Sequence, residues 1–95
     1  MGEFRIERNG QWAVVDGPLT LATARRAAEA GRDMLADGVS GFDLSRVAEC
    51  DSAALAVMVE WLRAGRGAGR EIHFRAVPEN LRAIAAISEL DYLFE

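Results

Sequence analysis

Lysine is absent from this chain: all 11 basic residues are arginine. That excludes a phosphate loop of the Walker type, which needs a lysine, and any Schiff-base chemistry. Cys50 is the single cysteine, so no internal disulfide can form, which fits a reducing compartment. His73 is the single histidine and lies in a strand-like run with no nucleophile beside it, so it reads as a solvent-face residue. One cysteine and one histidine set far apart offer no metal site. Nor is there a long apolar run: nothing approaches the ~20 residues of a membrane span, and MGEFRIERNG has no apolar leader core. Ile6 stands where a myristoylation signal wants Ser or Thr. The net charge is −4 and the arginines are scattered, which argues against nucleic acid as the main partner. A cytoplasmic protein is expected.

What is present is a globular composition, 51% hydrophobic and 27% charged over 95 residues, the size of one domain spanning 1–95. The chain is organised around 42–62, FDLSRVAECDSAALAVMVEWL, which reads as a strand from Gly41 to about Val47, a polar connection and a helix. Asp51 or Ser52 can cap that helix. Spacing its residues 100° apart puts Leu55, Met58, Val59 and Leu62 on one stripe, assigned to the core. Ala53, Ala54, Val57, Trp61 and Ala64 form a second stripe, with Ser52, Ala56, Glu60 and Arg63 as a narrow polar remainder. Two accounts fit the wide apolar arc. Either Ala is filler and Trp61 folds onto the core edge, or the second stripe grips a partner. The partner surface expected from the second is Ala53, Val57, Glu60, Trp61 and Ala64, with Trp61 partly exposed as its anchor.

Around this unit, Phe4 and Ile6 alternate with Arg5 and Glu7 as in a half-buried strand, and Asn9-Gly10 is a hairpin signal. Trp12, Val14 and Val15 form a second strand ending near Asp16-Gly17-Pro18. Thr20 is the expected cap of a helix over 21–36, with Leu21, Ala24, Ala28, Met34 and Leu35 on its apolar face. Glu71–Val77 reads as a strand, Glu79–Ile87 as a helix, and Leu90, Tyr92, Leu93 and Phe94 as a closing apolar clamp. The order β-β-α-β-α-β-α predicts an α/β sandwich, a small mixed sheet of about four strands with about three helices.

No catalytic set emerges. Cys50 at a helix start is flanked by Glu49 and Asp51, whose charges oppose a thiolate, so it reads as structural. Asp43 and Asp51 could meet as an acid/base or cation pair, but separate turn and cap roles are the commoner use of Asp. Ser52 combines two compatible roles: an N-cap, and a phosphorylatable hydroxyl at a helix N-terminus.

Asp43-Leu44-Ser45-Arg46-Val47 followed by Asp51-Ser52-Ala53-Ala54-Leu55 resembles the STAS domain pattern, a D-L-[ST]-x-V strand and then D-[ST]-[SAG]-G-L. Asp16-Gly17-Pro18-Leu19 with Ala22-Thr23-Ala24, and Val77-Pro78 with Leu90–Phe94, resemble its flanking segments, so the likeness runs from about Trp12 to Phe94. The resemblance implies a STAS-type sandwich serving as a non-catalytic protein-interaction module without a cofactor. It looks closer to the small STAS subunits of bacterial ABC phospholipid transporters, which maintain outer-membrane lipid asymmetry. That implies the transporter's ATPase subunit as partner and a place at the inner membrane through it. The other branch it resembles is the anti-sigma-factor antagonist, whose partner is an anti-sigma factor kinase. Ser52 matches the family's phosphorylatable position, within a loop that the resemblance extends to Asp43, Asp51 and Ala53.

Overall fold

A computed structural model describes residues 3–90. The elements run β1 (Arg5–Asn9), β2 (Trp12–Leu19), α1 (Ala24–Ala36), β3 (Gly41–Cys50), α2 (Ala53–Gly67), β4 (His73–Arg75) and α3 (Glu79–Ile87). This is the expected β-β-α-β-α-β-α order, a four-stranded mixed sheet with three helices. The strands lie in the order β1-β2-β3-β4. β1 and β2 are an antiparallel hairpin, whereas β2, β3 and β4 are parallel. Because each crossover steps the same way across the sheet, right-handed connections place α1 and α2 on one face. Among the described residues, neither α1 nor α2 covers the other face.

That asymmetry explains the alternation along β2. Ala13, Val15 and Leu19 point under the helices and are buried, while Trp12, Val14 and Asp16 on the open face are half-buried. Phe42 and Leu44 of β3 join the buried side. Pro18 is tolerated in β2 because β1 pairing ends at Asp16, so no ladder bond from β1 needs its missing N–H.

Several boundaries differ from expectation. The hairpin turn is Gly10-Gln11, not Asn9-Gly10: Asn9 pairs with Trp12, and the left-handed φ falls on Gly10 (64°). Glycine at the first central position is the requirement of a type II′ turn. α1 starts at Ala24, and Thr23 rather than Thr20 occupies its cap position. The Thr23 hydroxyl donates toward Pro18 O (3.0 Å) and Thr20 O (3.2 Å) and accepts from Thr20 N–H, binding 20–23 into a turn. The buried face of α1 is consequently Ala27, Gly31 and Leu35, and Leu21 is 78% exposed. β3 runs on to Cys50, β4 is shorter than expected, and α2 continues through Gly65 to Gly67. Leu90 is half-buried; Tyr92, Leu93 and Phe94 of the expected clamp lie outside the described residues.

Candidate partner-binding site

The parallel strands β2 and β3 end side by side, Leu19 against Cys50, and their loops meet beyond that edge. Loops at the carboxyl ends of parallel strands are the usual place for function in open α/β sheets. Asp51 ties the two together. Its Oδ1 accepts from Ala53 N–H (2.9 Å) in the first turn of α2, and its Oδ2 accepts from Leu21 N–H (3.2 Å) in the β2–α1 loop. The capping role therefore falls to Asp51. Ser52, expected as the cap, makes no side-chain cap bond and is exposed. The Asp51 carboxylate holds both an N–H of the first α2 turn and the Leu21 N–H that arrives from the β2–α1 loop, and this second, non-local donor favours Asp51. Ser52 is left exposed at the helix N-terminus.

On the other side of the edge, the Cys50 thiol contacts Asn80 Oδ1 at 3.5 Å. Burial and the Asp51 charge push this thiol up, with the Asn80 contact offsetting part of the rise, so it stays protonated. A nucleophilic role has no support here.

Asp43 and Asp51 do not meet. Asp43 sits within β3 on the open face, opposite Arg75 of β4 in the ladder. Its carboxylate accepts from Arg75 Nε (2.8 Å) and from Ser45 N–H (2.8 Å). Burial pushes the Asp43 carboxyl up, but the hydrogen bonds from Ser45 and Arg75 and the arginine charge outweigh it and hold it below the ordinary value. The Arg75 guanidinium also lies 4.0 Å over the Trp12 ring. Asp43 is thus a strut of the open face, separated from the Ser52 loop by the remaining length of β3.

The expected partner stripe on α2 requires correction. Trp61 is fully buried, not partly exposed, and Val57 is buried as well. The indole stacks on Phe42, with centroids 4.0 Å apart, and its N–H donates to Ala27 O (3.1 Å). Gly31 makes room for it: a Cβ there would overlap the indole at its Nε1 edge. Val59 and Leu62, assigned to the core stripe, are only half-buried. The arc is wide because α2 is the middle helix, with the sheet beneath it and α1 and α3 against its flanks. Of the expected interface residues, Glu60 is exposed and Ala53 and Ala64 are half-buried. The exposed residues of α2 are Ala56, Glu60, Arg63, Arg66 and Gly67, with Ser52 just before its start. Glu60 is bridged there to Arg32 of α1 (3.8 Å) and to Arg63 (3.5 Å).

Leu21 was hidden in the sequence by its Ala-rich surroundings, which read as helix. The signal that could have exposed it is Thr23, which closes a turn before the helix begins. Leu21, Ala22, Ser52 and Ala56 are exposed, on the two loops that Asp51 joins and on the first turns of α2. Among the described residues no group of acidic, cysteine or histidine side chains is placed to hold a metal, and no helix is long and apolar enough to cross a membrane.

A four-stranded mixed sheet with three helices in the order β-β-α-β-α-β-α is the architecture of a STAS-type fold. The chain matches the family described as MlaB, STAS domain over residues 4–95, and it belongs to the STAS domain family. Its fold is similar to the crystal structure of a candidate anti-sigma factor antagonist from Thermotoga maritima. That match has a TM-score of 0.73 at 20% identity and covers 97% of this chain and 83% of that one. The anti-sigma factor antagonist SpoIIAA in its unphosphorylated form is equally similar, with a TM-score of 0.73 at 13% identity over 98% of this chain and 86% of that one. No curated protein matches the chain.

Proposed function

We propose that this protein is a non-catalytic STAS subunit that binds and regulates the cytoplasmic ATPase of a bacterial ABC phospholipid transporter. The observation that carries this is the match to the MlaB-type STAS family along 4–95. The docking surface is the edge built on Asp51, with Leu21 as its apolar contact, Ser52 and Ala53 beside it, and the Ala56–Glu60 strip of α2 extending it. Such a surface suits a protein partner: it presents an exposed apolar side chain with a polar rim. Membrane association would then come through the ATPase. Purification of the tagged protein at native expression tests this, with the ATPase as the expected co-purifying protein. Recovery of an anti-sigma kinase without the ATPase overturns it.

A second function has its own support. The Ser52 hydroxyl is exposed and engaged in no cap, which leaves it open to a kinase, and the fold is shared with SpoIIAA. An anti-sigma-factor antagonist would be phosphorylated at Ser52 by its partner kinase, placing the phosphate at the favourable end of the α2 dipole but against Asp51. Mass spectrometry of the protein from cells decides between modified and unmodified Ser52.

A further inference from the structure

β1 is an edge strand: no strand of the described residues lies beyond it. Its hydrogen-bonding directions follow from the hairpin. Asn9 and Trp12 close the two-residue turn as a hydrogen-bonded pair, so Glu7–Val14 and Arg5–Asp16 are the next such pairs. The backbone N–H and C=O of Ile6 and Arg8 therefore point outward, away from the sheet. Beside them a recess of about 500 Å³ separates β1 from α1, lined on its apolar side by Phe4, Ile6 and Ala30. Unpaired edges invite strand addition, and proteins commonly block them with charge. Here the charges alternate in sign. Arg5 and Glu7 both stand on the open face, because their ladder partners Asp16 and Val14 do. Glu7 has no ion pair among the described residues, and Arg5 reaches only Asp16, at 3.7 Å, from a side chain that is 66% exposed.

We propose that β1 pairs antiparallel with β1 of a second copy of this chain, about a two-fold axis through Ile6, giving one sheet that runs across two protomers. The charge pattern and the extent of β1 select this register together: an axis at Phe4 would also set Arg5 against the partner's Glu3, but Phe4 lies outside β1, whereas Ile6 lies within it. With the axis at Ile6, Arg5 faces the partner's Glu7 and Glu7 faces the partner's Arg5, and opposite charges directly across a strand pair are stabilising. Ile6 meets the partner's Ile6 on the helical side, over the recess. Because Ile6 is an outward-facing residue, the central pair exchanges backbone hydrogen bonds, and Arg8 does the same with the partner's Phe4. Moving the axis to Arg5, Glu7 or Arg8 instead sets like charges against each other on the axis. A closed two-fold contact of this kind uses up the β1 edge of both protomers and does not propagate through it. The contact is short, so the dimer is weak and concentration-dependent.

This surface is distinct from the Leu21–Ser52 edge and is tested without any transporter or kinase. Sedimentation equilibrium over a concentration series should show a monomer–dimer equilibrium. Arg5→Glu and Glu7→Arg should each raise the dissociation constant roughly tenfold, and the double exchange, which restores the cross-strand pairs, should bring it back. Both side chains are exposed, so unchanged thermal unfolding of the three variants confirms that the fold is intact. The Ile6 amide should become more protected from hydrogen exchange as concentration rises. A monomer at every concentration, single reversals without effect, or a double exchange that fails to restore pairing overturns the proposal. Protection of Ile6 that appears only when a different protein is added overturns it too, since the edge then serves that protein.

Discussion

The indole of Trp61 lies flat on Phe42, with its ring plane 8° from parallel, in the space left by the missing side chain of Gly31. Three elements are thereby keyed together: α2 supplies the indole, β3 the phenyl ring, and α1 both the gap and the Ala27 carbonyl that takes the indole proton. Trp61→Ala should cost about 3–5 kcal/mol in urea unfolding, as expected for a fully buried aromatic. Gly31→Ala should destabilise by about 1–3 kcal/mol through overpacking, and much less in a Trp61→Phe background, where the indole no longer fills the gap. Equal costs in both backgrounds would mean that Gly31 and Trp61 are uncoupled.

At the α2 start, the two neighbouring polar residues should separate cleanly. Asp51→Ala loses the cap and the link to Leu21, and is expected to cost about 1 kcal/mol or somewhat more. Ser52→Ala should leave stability within about 0.5 kcal/mol of wild type, since its hydroxyl holds no cap bond. Chemical denaturation of both variants reads this directly.

Binding should follow the opposite order. Leu21→Ala is expected to leave stability almost unchanged, because the side chain is 78% exposed. In calorimetric titration with the proposed ATPase partner it should lose roughly 1–2 kcal/mol of affinity, the range of a moderate interface contact. Ser52→Asp should weaken binding more than Ser52→Ala by placing a second negative charge next to Asp51. Wild-type affinity in both Leu21→Ala and Ser52→Asp would remove this edge from the interface.

The Asp43–Arg75 pair sets a pH dependence of definite sign. The folded Asp43 carboxyl lies below its ordinary value of 3.8, so the folded state binds the proton less readily than the unfolded one. The stability it contributes is complete above pH 3.8 and is lost as pH falls through the lower, folded value. Arg75 is half-exposed and screened, which keeps the contribution to about 1 kcal/mol. Asp43→Asn should therefore be less stable than wild type at neutral pH, and the difference should shrink as the solution is acidified below pH 4.

Much of this arrangement was legible in the chain. Strand alternation in 4–7 and 72–75, the capping residues before α2 and Pro78 before α3 are local signals, and the element order follows from them. The two stripes of α2 were legible too, but not which of them is core. That choice depends on α1 lying alongside with Gly31 turned toward it, a fact of packing that no periodicity within α2 contains. The cap was ambiguous for a similar reason. Asp51 and Ser52 have equal local claims, and what favours Asp51 is the Leu21 N–H arriving from another loop. Leu21 itself was misplaced because helix propensity extends through 21–23, while the Thr23 hydroxyl turns that stretch aside.

Trp12 and Trp61 stand on opposite faces of the same sheet. Trp61 is sealed against Phe42 between the layers, whereas Trp12 is half-open beneath the guanidinium of Arg75. One indole emits from a dry site and the other from a wet one beside a cation. The protein therefore carries two built-in optical reporters, a blue-shifted one that follows the integrity of the interior and a red-shifted one that follows whatever approaches the bare side of the sheet.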